Sequence, residues 1–212
     1  LMPAKDYVEF IKKTGQDMIS LHVPWWPGRK IMYDRGIPNY AGGTVKDYDD
    51  LKKIKYPDMN TIRKRIEDIL EEIKDTKIGI VYQIYETPNL VTDAIGYEEY
   101  YIYLIEKPDF IREFQKRVDE YVVKQLDTVL EYPVTTVGTS YSLCMNTGPV
   151  ISSDMIEEFY YPYLRRMISK THSKGAFVDY HCDGDYTLIY PHLIKMGVDC
   201  INAIESCGGR QD

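Results

Sequence analysis

The sequence predicts an α/β protein built as a TIM-type (β/α)8 barrel that is incomplete, with about five to six strands in this chain. Short apolar runs alternate with helix-like segments, and this alternation is typical of a parallel sheet covered by helices. The 212 residues, 44% of them hydrophobic, suffice for one core, whereas a complete barrel typically takes about 250 residues. We therefore expect a single partial barrel domain over residues 1–212, without its C-terminal strands.

Five apolar runs are predicted to be strands, and they cover residues 17–23, 78–84, 134–138, 176–178 and 198–204. The segments with apolar residues at helical spacing cover residues 5–13, 61–74, 87–96, 97–106, 108–131, 152–168 and 186–196. Two helix starts carry clear signals, since Pro108 suits a first turn and Ser152 suits an N-cap. Pro162 is expected to kink the helix that follows Ser152.

Residues 24–57 are predicted to form an irregular N-terminal region. Within it, residues 24–43 hold three prolines, four glycines and both tryptophans, which indicates a long loop or an irregular hairpin. Trp25 and Trp26 are expected either to anchor this segment or to form a lid over the barrel mouth.

Composition excludes several classes of function. The formal net charge of -7 and the pI of about 5.2 leave no basic footprint for nucleic acid. No apolar run approaches the roughly 20 residues that span a bilayer, and the chain does not start with a secretory signal. The expected compartment is therefore the cytoplasm. The four cysteines include no CxxC pair, so free thiols are expected.

The richest cluster of reactive side chains lies in residues 178–185, Val-Asp-Tyr-His-Cys-Asp-Gly-Asp. His181 and Asp183 follow a predicted strand, at the end where an α/β barrel builds its active site. They are the leading candidates for acid–base catalysis or for binding a metal ion. The alternatives are a hydrogen-bonded structural histidine and a helix-capping aspartate. Cys182 is expected to be buried, because adjacent strand residues face opposite ways.

Other candidates lie where the remaining strands end. Glu86 follows the strand at 78–84 and is expected to reach the same mouth, as a catalytic carboxylate or as an N-cap partner. The candidates for substrate binding also end or follow predicted strands, and they are His22, Ser140, Tyr141, Asn202 and Glu205.

Four motifs occur in order along the chain. Residues 147–163 begin Thr-Gly-Pro-Val-Ile-Ser-Ser-Asp-Met, residues 181–185 read His-Cys-Asp-Gly-Asp, and residues 193–199 read Leu-Ile-Lys-Met-Gly-Val-Asp. The fourth motif combines residues 45–51 with Tyr-Pro-Asp at 56–58. Together they resemble the uroporphyrinogen decarboxylase superfamily, whose fold is a TIM barrel.

The resemblance implies one of two chemistries. One branch of the superfamily moves methyl groups between a small substrate and a corrinoid protein or a coenzyme M-type thiol. It uses zinc held by a His-x-Cys motif and a distant cysteine, and zinc turns a thiol into a thiolate. The other branch removes acetate carboxyl groups from a tetrapyrrole without a cofactor, using N-terminal arginines and an aspartate.

The chain departs from both patterns. The N-terminal arginine segment of the decarboxylases has no convincing match. Asp183 stands where the zinc motif has a cysteine, and Gly138 stands where methyltransferases often have a polar ligand. The third zinc ligand is expected beyond residue 212. His181 and Asp183 together would suit a harder metal or hold zinc more weakly.

The leading hypothesis is an enzyme that transfers methyl groups, with a corrinoid protein as partner and with His181, Asp183 and Glu86 in its mechanism. The alternatives are a tetrapyrrole decarboxylase, which is a carboxy-lyase without a cofactor, and a non-catalytic barrel that binds a small molecule or a partner. An acidic mouth disfavours a polyanionic substrate. The open sheet edges are expected to favour a homodimer.

Overall fold

The computed structural model describes residues 2–141 and 143–204. The helices in this range are α1 (Ala4–Thr14), α2 (Tyr48–Leu51), α3 (Met59–Ile73), α4 (Thr87–Ile95), α5 (Tyr97–Glu106), α6 (Pro108–Val129), α7 (Ser153–Phe159), α8 (Tyr161–His172) and α9 (Tyr190–Met196). The strands are β1 (Met18–Leu21), β2 (Arg29–Asp34), β3 (Ile37–Gly43), β4 (Gly79–Tyr85), β5 (Thr136–Ser140), β6 (Cys144–Met145), β7 (Gly148–Pro149), β8 (Phe177–His181) and β9 (Cys200–Asn202).

Five of these strands form one parallel sheet in the order β1-β4-β5-β8-β9. They coincide with the five strands that the apolar runs predicted. Each successive strand of the sheet is added on the same side, and helices cross between them. This winding is that of a TIM-type barrel that is incomplete over the described residues, so the predicted fold class is confirmed.

The two faces of the sheet differ in burial because strand side chains alternate. On β4, Ile80, Tyr82 and Ile84 are buried, whereas Gln83 and Tyr85 are half-buried. The buried face packs against the helices, and the Tyr82 hydroxyl accepts a hydrogen bond from the Gln125 amide of α6 at 3.2 Å. The half-buried face corresponds to the interior of a barrel. The hydrophobic core therefore lies between sheet and helices.

Of the two structures expected for residues 24–43, the irregular hairpin is observed, with β2 and β3 antiparallel and a register shift between Arg29 and Ile31. The Arg29 guanidinium joins it to α4 through two hydrogen bonds to the Asp93 carboxylate, at 2.6 and 2.8 Å. The same guanidinium lies 3.9 Å from the centre of the Trp26 ring, which packs against Tyr85 at 4.1 Å. Trp25 packs 4.4 Å from Tyr121 of α6, so it anchors the segment.

The structure refines three local details of the sequence analysis. The helix expected over residues 152–168, with a kink at Pro162, is interrupted at Tyr160 and forms the two helices α7 and α8, because Pro162 near the start of α8 lacks the amide that would continue the ladder. The helix expected from residue 186 begins only at Tyr190. The short β6–β7 hairpin was not predicted.

Among the described residues, no helix is long and apolar enough to cross a membrane.

The ion pair between Arg29 and Asp93 should dominate the attachment of the hairpin, because the Asp93 side chain is only 2% exposed. We predict that Arg29→Met lowers the free energy of unfolding by about 3 kcal/mol, since it leaves a buried carboxylate without its partner. Urea denaturation measures this change. Lys64→Met is the control, because it breaks an exposed pair with Asp68 and should cost under about 0.5 kcal/mol. Equal costs for the two variants would contradict the prediction.

Candidate active site

The candidate site lies at the carboxyl end of the sheet, on its half-buried face. Parallel register aligns Tyr85, Ser140, His181 and Asn202 in one row across β4, β5, β8 and β9. We call this row the rim. The four side chains point the same way because aligned residues of neighbouring strands share a face. His181, Ser140 and Asn202 are therefore brought together, as their positions at strand ends predicted.

A chain of hydrogen bonds fixes the His181 ring. The Asn202 amide nitrogen donates to both carboxylate oxygens of Asp179, at 2.9 and 2.8 Å. This leaves the amide oxygen of Asn202 facing His181 Nδ1, at 2.5 Å. An amide oxygen only accepts, so Nδ1 must carry the proton. His181 Nε2 then has a free lone pair in the neutral ring.

Asp183 lies beside that free nitrogen. Its Oδ1 atom is 3.4 Å from His181 Nε2, and its side chain is 57% exposed. The following residue, Gly184, has a φ of 80° and packs against the β6–β7 hairpin, where an added Cβ would meet the Met145 carbonyl oxygen at 2.7 Å. The close approach therefore requires glycine at this position. The contact of Gly184 with Met145 thereby fixes the position of the loop that carries Asp183.

The described residues offer two donors to a metal ion at the rim, His181 Nε2 and Asp183. Catalytic zinc sites take three ligands from the protein. Within residues 2–141 and 143–204, no three His, Cys, Asp or Glu side chains are arranged so that they could hold a metal ion. Cys182 is fully buried on the opposite face from His181, as strand alternation predicted. The part of the chain that the structure describes therefore does not by itself complete a zinc site.

The expected place of Glu86 at the mouth is wrong. Glu86 is buried on the side of the sheet that faces the helices, where its carboxylate accepts a hydrogen bond from the Thr139 hydroxyl at 2.5 Å. It occupies the N-cap position of α4 without capping the helix through its side chain. Its second oxygen has no hydrogen-bond partner in the described structure. Burial raises the pKa of Glu86 to about 7.

Two of the candidates for substrate binding, Tyr141 and His22, do not meet His181 in the described structure. Tyr141 is buried beneath the helices, where its ring stacks on Tyr160 at 5.1 Å. His22 lines a groove with Tyr7 and Arg65 at the edge strand β1. Glu205 lies outside the described residues. Asn202 belongs to the site, but its amide is already bound to His181 and Asp179.

Sequence reasoning missed two features of the site. Asp179 faces the same way as His181 because it lies two residues earlier on β8. Gln83 reaches across β5, where a Cβ on Gly138 would meet its amide oxygen at 2.4 Å. Gly138 thus leaves room for an amide from the neighbouring strand. A glycine in a strand interior is the sequence signal for such a close approach.

An aromatic wall stands across the rim from His181. It consists of Tyr85 and the Trp26 ring packed on it. Tyr85 and His181 lie two strands apart in one row, so their Cα atoms are separated by roughly 10 Å. A small molecule that bridges this distance would contact aromatic rings on one side and the imidazole on the other.

Glu86 should make stability depend on pH. Its pKa is about 7 in the folded protein against 4.5 ordinarily, so the folded state keeps a proton that the unfolded state has released. Its contribution is fully present below about pH 4.5 and is lost as pH rises through about 7, a change of about 3 kcal/mol. We predict that Glu86→Gln removes this loss in urea denaturation series. Exposed Glu72→Gln is the control, and an unchanged slope in Glu86→Gln would contradict the assignment.

Comparisons with known proteins agree with the fold. The chain is similar in structure to a methyltransferase from Methanosarcina mazei, with a TM-score of 0.66 and 18% sequence identity. The match covers 94% of this chain and 61% of that one, and at this identity it shows a shared fold. No curated protein matches the sequence. The family model for uroporphyrinogen decarboxylase (URO-D) matches residues 21–207, and the chain therefore belongs to the URO-D family.

Proposed function

We propose that this chain is an enzyme that transfers a methyl group between a small substrate and a corrinoid protein or a thiol, with His181 carrying the proton. The observation behind the proposal is the hydrogen-bonded chain from Asp179 through Asn202 to His181. It holds Nδ1 protonated and leaves Nε2 free at the open end of the sheet. A general acid–base group needs this arrangement of one fixed and one free nitrogen.

Methyl transfer requires a proton transfer both when a substrate accepts the methyl group and when it loses it. A thiol that accepts a methyl group must lose its S–H proton, and His181 Nε2 would receive it. An oxygen or nitrogen that loses its methyl group must gain a proton, and the protonated imidazole would supply it. Asp183, with its Oδ1 atom 3.4 Å from Nε2, would accept a hydrogen bond from Nε2 whenever that nitrogen carries a proton.

Charge at the site supports methyl transfer over the chemistry of the decarboxylases. The half-buried face of the sheet carries Asp179, and Asp183 stands at its rim. The described strands of the five-stranded sheet contain no lysine or arginine. Arg29, which lies next to Trp26, is already paired with Asp93. A substrate with many carboxylates would be repelled here. The aromatic pair Trp26 and Tyr85 suits a small, largely apolar methylated molecule instead.

The proposal uses the imidazole rather than a metal ion. Zinc, when bound, would convert a thiol to a thiolate. His181 and Asp183 are the described donors for it, and they fall short of the three protein ligands of a catalytic zinc site. Likeness in fold to a methyltransferase supports the proposed reaction class. The methyl carrier in this proposal is a corrinoid protein.

Tetrapyrrole decarboxylation is the second candidate. Membership of the URO-D family and the free Nε2 of His181 favour it, because the carbanion formed by loss of CO2 must be protonated. It would place the carboxylates of uroporphyrinogen against Asp179 and Asp183, which is why we rank it second.

The two candidates are separated by assays of the full chain. We predict demethylation of methylcobalamin in the presence of 2-mercaptoethanesulfonate, measured by the loss of the methylcobalamin absorbance. His181→Ala should lower the rate by about 100-fold or more, the usual contribution of a general acid–base group. His192→Ala is the matched control, since this exposed histidine lies on α9 away from the rim, and it should retain the rate.

Two results would overturn the proposal. Conversion of uroporphyrinogen without methylcobalamin turnover would establish the second candidate. A folded chain with neither activity would leave a barrel that binds a small molecule or a partner without catalysis.

A further inference from the structure

Two buried cysteines are neighbours on the side of the sheet that faces the helices, opposite to the rim. Cys144 lies on β6 and is 7% exposed, and Cys182 directly follows β8 and is fully buried. The two side chains are neighbours, and Gly184, two residues after Cys182, comes so close to the Cys144 backbone that an added Cβ would lie 3.0 Å from its carbonyl carbon. Both are free cysteines in the described structure. The methyl-transfer proposal uses neither of them.

Backbone contacts hold the two cysteine segments together. The Asp185 amide donates to the Met145 carbonyl oxygen at 2.9 Å, and Gly184 packs on the same carbonyl with no room for a side chain. These contacts flank the thiol pair, one residue after Cys144 and two or three after Cys182. The fold therefore holds the two cysteine-bearing segments side by side, and a disulfide between cysteines needs such close approach of the two backbones.

We propose that Cys144 and Cys182 form a reversible disulfide when the protein meets a hydroperoxide. The thiolate of one cysteine attacks the O–O bond of hydrogen peroxide, which gives a sulfenic acid and releases hydroxide. The thiolate of the second cysteine then attacks the sulfenic sulfur, forms the S–S bond and releases a second hydroxide. Two thiols and one peroxide thus yield one disulfide and two waters, once the two thiol protons are counted.

Formation of the disulfide would change the immediate surroundings of His181. The Cys182 thiol donates to the Asp183 carbonyl oxygen at 3.3 Å, and a disulfide removes this donor. Cys182 is also the immediate neighbour of His181. The S–S bond would tie the β6–β7 hairpin to the strand end that carries the imidazole. The pair is therefore a modification site that responds to oxidants and lies next to the rim.

The experiment uses the full chain and hydrogen peroxide as the oxidant. The reduced protein is treated with peroxide, quenched in acid, denatured with an alkylating agent and digested without reductant for mass spectrometry. We predict a peptide pair linked through Cys144 and Cys182, which disappears on treatment with dithiothreitol. Cys144→Ser and Cys182→Ser should each abolish the link, whereas Cys200→Ser, at an exposed cysteine of β9, should retain it.

Mapping of the unmutated chain decides the matter even if a variant fails to fold. Recovery of Cys144 and Cys182 as alkylated free thiols after peroxide treatment would overturn the proposal. Disulfides that instead join either of them to another cysteine would overturn it as well. The result is independent of the methyl-transfer assay, so failure of one proposal leaves the other testable.

Discussion

The hydrogen-bonded chain from Asp179 through Asn202 to His181 is the constraint on which the account of this site depends. It crosses from β8 to β9 and back, so it exists only while those strands pair in the observed register, with His181 opposite Asn202. A shift of one residue would turn the Asn202 side chain to the other face. The fold therefore fixes the proton on Nδ1 of His181 and leaves Nε2 open to the mouth.

Because side chains alternate along each strand, the reactive groups lie on one face of the sheet and the core residues on the other. On β8, Asp179 and His181 face the half-buried side, while Val178 and Tyr180 are fully buried against the helices. The helix side has polar groups of its own, since the Tyr160 hydroxyl donates to the Tyr180 hydroxyl at 2.7 Å. In this layer, burial raises the pKa of Glu86 to about 7, so this carboxyl gains or loses its proton near neutral pH. One sheet thus carries a solvent-accessible proton site on one face and a buried acid on the other.

The five sheet strands could be read from apolar runs because burial against helices demands them. Strand alternation correctly predicted that Cys182 lies away from His181. At the other strand ends, the same alternation turns Glu86 and Tyr141 away from the mouth, because each follows a rim residue by one position. It would also have found Asp179, which lies two positions before His181 and shares its face.

Other features depend on tertiary structure that local sequence does not encode. Nothing near Asn202 indicates that its amide would join Asp179 to His181, because those contacts need the pairing of β8 with β9. The attachment of the hairpin by Arg29 and Asp93 joins residues 64 positions apart. The contact between Cys144 and Cys182 likewise follows from the packing of a short hairpin that has no strong strand signal.

The most direct test is the tautomer of His181, observed by nuclear magnetic resonance on protein with ¹⁵N-labelled histidine at alkaline pH. The account predicts that the His181 ring carries its proton on Nδ1, and that Asn202→Ala releases this preference while the other histidines keep their signals. A His181 ring protonated on Nε2 in the unmutated chain would contradict the account, because the nitrogen that faces the mouth would then have no lone pair to accept a proton.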